Sequence, residues 1–145
     1  MFAVTQATDK HLESVIQLDL EVLGSTIRRE FLVASVNKGN VWVALNDYDV
    51  VGFVVVDNVF FGHPFIELLI VHPGFRRKRI GAMLVEAIEL RIETEKLFTS
   101  TNQSNTPMQS LCESLGFQQS GYIENLDEGD PEIVYFKRIG VSDGV

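Results

Sequence analysis

Cross-links and metal clusters are the first things this sequence lacks. Its single cysteine, Cys112, cannot close a disulfide within the chain, and with three scattered histidines, His11, His63 and His72, it offers no zinc-ligand spacing. No metal site is expected. Long apolar runs are missing too: the longest, residues 50–56, has about seven members, far short of the roughly 20 that a bilayer-spanning helix needs. Positive charge is scarce. Twelve Lys and Arg face 20 Asp and Glu, a net charge of -8, so repulsion disfavours nucleic acid or an anionic membrane as partner. The first ten residues lack the basic start and apolar stretch of a secretory signal, and a cytoplasmic location is expected.

What remains is a chain of 145 residues with 46% hydrophobic side chains, the range of one domain with one core. That domain is expected over residues 2–139, followed by a flexible tail at 140–145. Charge is distributed at two poles. Arg76, Arg77, Lys78 and Arg79 are consecutive, while Glu124, Asp127, Glu128, Asp130 and Glu132 crowd a stretch without a cation. The first could dock an anion and the second draw a cation, against the plain alternative of two solvated surfaces.

Periodicity supplies the elements. Residues 2–6 alternate as a strand; Thr8 can cap a helix with Leu12, Val15, Ile16 and Leu20 inward; Ser25 can cap a second with Ile27, Phe31, Leu32 and Val36 inward. Residues 41–45 and 50–60 read as a hairpin, Gly62-His63-Pro64 as a turn and 65–71 as a further strand. A helix follows from Ile80, then a strand over 97–101, a helix carrying Met108, Leu111, Cys112 and Leu115, and strands over 117–123 and 133–139. The order βααβββαβαββ contains one strand-helix-strand crossover, so an α/β (α+β) fold follows: a mixed, mostly antiparallel sheet with helices on both faces.

Chemistry concentrates where the strand over 65–71 passes through a basic turn into a helix. The first amides of a helix have no intrahelical acceptor and sit at the positive end of its dipole. A phosphate there gains directed hydrogen bonds, and Arg76 to Arg79 add charge. Gly81 and Ala82 leave room for close approach. The Gly-Lys-Ser/Thr of nucleotide-triphosphate loops and the triple glycine of dinucleotide folds are both absent.

These residues resemble the GNAT superfamily of N-acetyltransferases: Val71-His72-Pro73, then Arg76 and Gly81 at the helix start, match its strand-turn-helix signature. Asn105, the run 111–115 and Gly116-Phe117 match a second family segment. The resemblance extends over nearly the whole chain. It implies a GNAT fold whose central parallel strands splay, and acetyl-CoA as co-substrate. The diphosphate would lie on Arg76, Arg77, Lys78, Arg79, Ile80, Gly81 and Ala82, the pantetheine arm beside Leu69, Ile70 and Val71, and Asn105 would add a polar contact. Ile70 or Val71 would polarise the thioester oxygen. The implied reaction is direct attack of a primary amine, of a small molecule or a peptide or protein, on the thioester.

Two positions depart from the family. Arg79 stands where glycine is usual, and a right-handed backbone is expected there. Cys112 stands where many members have a proton-donating tyrosine; it could transfer a proton, or simply fill the core. Glu67 is the first candidate for general base, because a carboxylate in an apolar strand is costly unless paired or used. Tyr122 is a second acid or a substrate contact, against the alternative of a core aromatic. His72 reads as a surface residue in a turn, His63 as a turn residue and His11 as a helix-face residue, while Arg28, Arg29 and Glu30 could shape the acceptor cleft, which the first two helices often wall in this family, or be solvated, the preferred reading. The competing functional reading is a non-catalytic acyl-CoA-binding module acting as a sensor or partner subunit. A sheet edge leaves a homodimer open.

Overall fold

The computed structural model describes residues 1–140, so most of the expected tail, residues 141–145, lies outside the described residues. The elements follow the expected order: β1 (Phe2–Gln6), α1 (Leu12–Leu23), α2 (Arg29–Asn37), β2 (Val41–Asn46), β3 (Asp49–Phe60), β4 (His63–Val71), α3 (Ile80–Glu89), β5 (Lys96–Asn102), α4 (Thr106–Ser114), β6 (Gln118–Ile123) and β7 (Glu132–Arg138). The strands form one sheet in the order β1-β2-β3-β4-β5-β7-β6. The α3 crossover makes β4 and β5 parallel; β1–β2, β2–β3, β5–β7 and β6–β7 are antiparallel. The β2–β3 hairpin turns through Asp47, whose φ of 57° suits a two-residue loop between twisted strands.

Two compact units divide the chain. The first comprises Met1–Val56 and Leu68–Ile88. Its core joins Val15, Ile16 and Leu18 of α1 and Leu32 and Val36 of α2 to Val41, Val43, Phe53 and Val55 of β2 and β3, with Leu68 and Ile70 packed against them. Between Val51 and Phe53, Gly52 lets α3 close down on β3. A Cβ there would stand 3.0 Å from Ile80 Cγ2 and 3.1 Å from the Ile70 carbonyl oxygen, so any larger residue would lift the start of α3.

The second unit comprises Asp57–Glu67 and the described residues from Glu89 onward. Leu97, Thr99 and Thr101 of β5 are buried with Ile133, Val134 and Tyr135 of β7, and Thr99 Oγ1 donates to the Ile66 carbonyl at 3.1 Å. Phe60, Phe65, Phe98 and Phe136 form a chain of rings, with centroids 5.2 Å apart for Phe60–Phe65, 4.9 Å for Phe60–Phe98 and 5.3 Å for Phe98–Phe136. Lys137 Nζ and Glu89 Oε2 pair at 2.8 Å, both largely buried.

Three local readings need correction. The second helix begins at Arg29, not after Ser25, whose Oγ accepts from the Ile27 amide at 3.1 Å in a local turn. Ile27 is therefore 82% exposed instead of inward. Arg28 is not solvated: its guanidinium donates through two nitrogens to the buried Asp19 carboxylate, tying α2 to α1. The turn before β4 uses Phe61 and Gly62, at φ 53° and 81°, and His63 and Pro64 already belong to the strand.

Candidate active site

The basic turn belongs to the first unit. After β4 a 3₁₀ turn, Pro73–Phe75, leads to an extended Arg76 (φ -68°, ψ 157°). Arg77 and Arg79 are then left-handed, at φ 65° and 63°. The expected right-handed backbone at Arg79 is thus wrong. The chain reaches α3 through two left-handed steps separated by a negative-φ residue, a conformation glycine adopts freely and arginine adopts at a cost of roughly 1–2 kcal/mol. Such alternation turns successive N–H groups to one side, the geometry of an anion nest. The Arg79 carbonyl accepts from the Met83 amide at 2.9 Å, the first bond of the α3 ladder, so the amides of Ile80, Gly81 and Ala82 have no intrahelical acceptor. Arg76, Arg77, Lys78 and Arg79 are exposed, and Arg79 makes only a loose surface pair with Glu86 at 3.7 Å.

His72, which the sequence left as a surface residue, organises the start of this turn. Its backbone amide donates to the Val51 carbonyl at 2.8 Å, and its Nδ1 accepts from the Gly74 amide at 2.9 Å. Its Nε2 lies 3.4 Å from Glu21 Oε2 of α1. The ring meets Phe75 edge-on at 5.6 Å, and Phe75 meets Phe2 of β1 at 6.1 Å. The adjoining Leu69, Ile70 and Val71 are half-buried.

Glu67, Asn105, Cys112 and Tyr122 belong to the second unit. The parallel β4–β5 ladder runs through two register pairs, Phe65↔Phe98 and Ile66↔Thr99, although β4 continues to Val71 and β5 to Asn102. Glu67 follows the second pair and is half-buried. Asn105 caps α4, its Oδ1 accepting from the Met108 amide at 3.2 Å. Tyr122 is not a core aromatic. It is 60% exposed on β6, and its hydroxyl donates to Gln119 Oε1 at 3.1 Å.

Cys112 is 2% exposed on the inner side of α4. Burial, with a smaller contribution from Glu113, pushes its thiol up to about 12. Cys112 packs in the core as a small apolar side chain. Tyr135 of β7, which no sequence pattern singled out, is fully buried, and its hydroxyl has no hydrogen bond of good geometry among the described residues. Burial raises its pKa as well, with Cys112 the next cause.

The acidic stretch is more than a solvated surface. Asp127 accepts from Asn102 Nδ2 at 2.8 Å, Asp130 from the Ser104 amide and Oγ at 3.0 and 2.6 Å, and Glu132 from Ser100 Oγ at 2.6 Å. These bonds fix residues 100–104 ahead of α4. Glu124 and Glu128 remain exposed.

A strand, an amide nest and a helix start in this connectivity define a class, and the comparisons agree. The sequence profile of the acetyltransferase (GNAT) family matches residues 10–117, and the chain belongs to that family. It is similar to a GNAT-family acetyltransferase from Bacillus cereus ATCC 10987, at 36% identity over 97% of this chain and 99% of the other, with a TM-score of 0.93. Two further structures share the fold. The ribosomal-protein-S18-alanine N-acetyltransferase from Escherichia coli is 17% identical over 98% and 96% of the two chains, with a TM-score of 0.82. Arabidopsis thaliana NAA60 in complex with acetyl-CoA is 16% identical over 96% and 100%, with a TM-score of 0.81. No curated protein matches the chain.

Proposed function

We propose that this protein transfers the acetyl group of acetyl-CoA directly to a primary amine, holding the CoA diphosphate on the turn from Arg76 to Ala82. The observation that carries the reading is the pair of left-handed residues, Arg77 and Arg79, leading into a helix whose first amides lack acceptors. Four exposed cations add a field that favours an anion over the chain's overall -8. The short β4–β5 ladder supports placing pantetheine beside Leu69, Ile70 and Val71, where strand backbone can pair with its amides as it would with an added strand.

In this mechanism the acceptor must reach the thioester as a free amine, because an ammonium has no lone pair. Glu67 removes that proton, directly or through a water, and the Ile70 or Val71 amide steadies the oxygen that becomes negative as the amine attacks. The nitrogen–carbonyl bond forms, the nitrogen gives up its second proton to solvent, and as the carbon–sulfur bond breaks the departing thiolate takes a proton from solvent or from Tyr122. Cys112 takes no part. The carboxylates of residues 124–132 favour a cationic acceptor, and their hydrogen bonds to residues 100–104 hold that field in place.

The test is release of CoA thiol from acetyl-CoA across a panel of primary amines. Wild type releases thiol with at least one amine, and Glu67→Gln lowers kcat/KM by about 10²-fold, the worth of a general base, while acetyl-CoA binding holds. Tight CoA binding without transfer to any amine would instead establish a binding module.

A further inference from the structure

We propose that His72 is a positioning residue for the CoA-binding turn, working through the lone pair of Nδ1, and that its protonation releases the turn and weakens CoA binding. The proposal rests on the diphosphate lying on Arg76 to Ala82, and adds a control over that site which the family signature does not specify.

The geometry is directional. A backbone N–H can only donate, so the Gly74 amide at 2.9 Å requires Nδ1 to be the unprotonated nitrogen. The ring proton then sits on Nε2, which faces Glu21 Oε2 at 3.4 Å. One imidazole thereby ties the first residues after β4 to α1, while its own amide is tied to β3 through Val51. Gly74 is fitted to this contact: a Cβ there would lie 3.2 Å from Nδ1 and 3.3 Å from Cε1. Phe75 closes the arrangement against both the imidazole and Phe2. Everything downstream, from the extended Arg76 to the first amides of α3, starts from this anchored point.

Protonation puts a hydrogen on Nδ1 and turns the acceptor into a donor, so the Gly74 bond cannot survive in the imidazolium. The charged group that faces the ring is Glu21, at Nε2; Glu13, which pairs with Arg29, and Asp49 of β3 line with it the cavity of about 550 Å³ that His72 and Phe75 border, and the cations Arg76 to Arg79 follow along the turn. An imidazole ordinarily changes charge between pH 5 and 8, which sets the range of the test.

Asparagine separates the two properties, because its side-chain oxygen can accept from Gly74 as Nδ1 does but cannot titrate. CoA binding by calorimetry on wild type, His72→Asn and His72→Phe from pH 5.5 to 8.5 is the experiment. At pH 8, His72→Asn binds within about two-fold of wild type and His72→Phe about five-fold more weakly, the usual net worth of one hydrogen bond; KM for acetyl-CoA rises with kcat unchanged. Between pH 8 and 5.5, wild type loses about five-fold more affinity than His72→Asn, a difference free of the titration of CoA itself. Parallel pH profiles for those two proteins would overturn the proposal, and should His72→Phe not fold, that comparison still decides. Charge reversal at Arg76 and Lys78 is the control: if CoA binding survives it, the site reading fails; if binding is lost while both His72 variants behave as wild type, only the role of His72 fails.

Discussion

Arg79 shows how a departure from a family pattern can be settled by one dihedral angle. At φ 63° the side chain gains nothing from the backbone it occupies, so Arg79→Gly removes strain that Arg79→Ala retains. The glycine variant is expected to unfold about 1 kcal/mol later than the alanine variant in urea, reduced somewhat by the extra freedom of glycine in the unfolded chain. Both bind CoA more weakly than wild type, having lost the same guanidinium. Cys112 makes a second prediction at this scale. Its folded pKa is raised, from 9.0 to about 12, so the unfolded chain releases the thiol proton first as pH rises. The stability it contributes is complete below pH 9 and is lost progressively toward pH 12. Cys112→Ala should flatten that alkaline decline relative to wild type, whose remaining slope includes Tyr135, shifted in the same direction. An alkaline titration of the melting temperature of both proteins measures the difference.

Among the elements, α4 and the loop before it carry the most definite expectation. Asn105 holds the first turn through Met108, so Asn105→Ala should cost about 1 kcal/mol of stability and Asn105→Asp much less, read by thermal melting. The same element shows what could be read in advance. The helical stripe of Met108, Leu111, Cys112 and Leu115 was visible as a period, and so were the strand runs, because burial imposes those spacings locally. Tyr135 was not, since a tyrosine in a strand reads the same whether its hydroxyl meets a partner or none. The start of α2 failed for a related reason. Ser25 bonds a neighbouring amide equally well in a turn and at a helix cap, and the deciding contact, Asp19 with Arg28, spans nine residues. Likewise His72 beside Pro73 looked like turn punctuation; its partners on α1 and β3 are brought to it only by folding.

At the scale of the whole molecule, an acidic chain of net charge -8 concentrates four cations on one turn and fastens much of its acidic loop by hydrogen bonds. Among the described residues no helix is long and apolar enough to cross a membrane. The order of elements was legible from periodicity and the family from the resemblance of its strand-turn-helix segment, because the helix start after β4 is both the fold's crossover and the proposed anion site. The backbone that makes the turn a nest was not, since sequence reasoning placed Arg79 in the wrong half of conformational space. The most direct measurement is an amide NMR titration with CoA. If the turn grips the diphosphate, the largest shifts fall on the amides from Arg76 to Ala82 and weaken with added salt. CoA binding that leaves those amides unmoved would contradict the account.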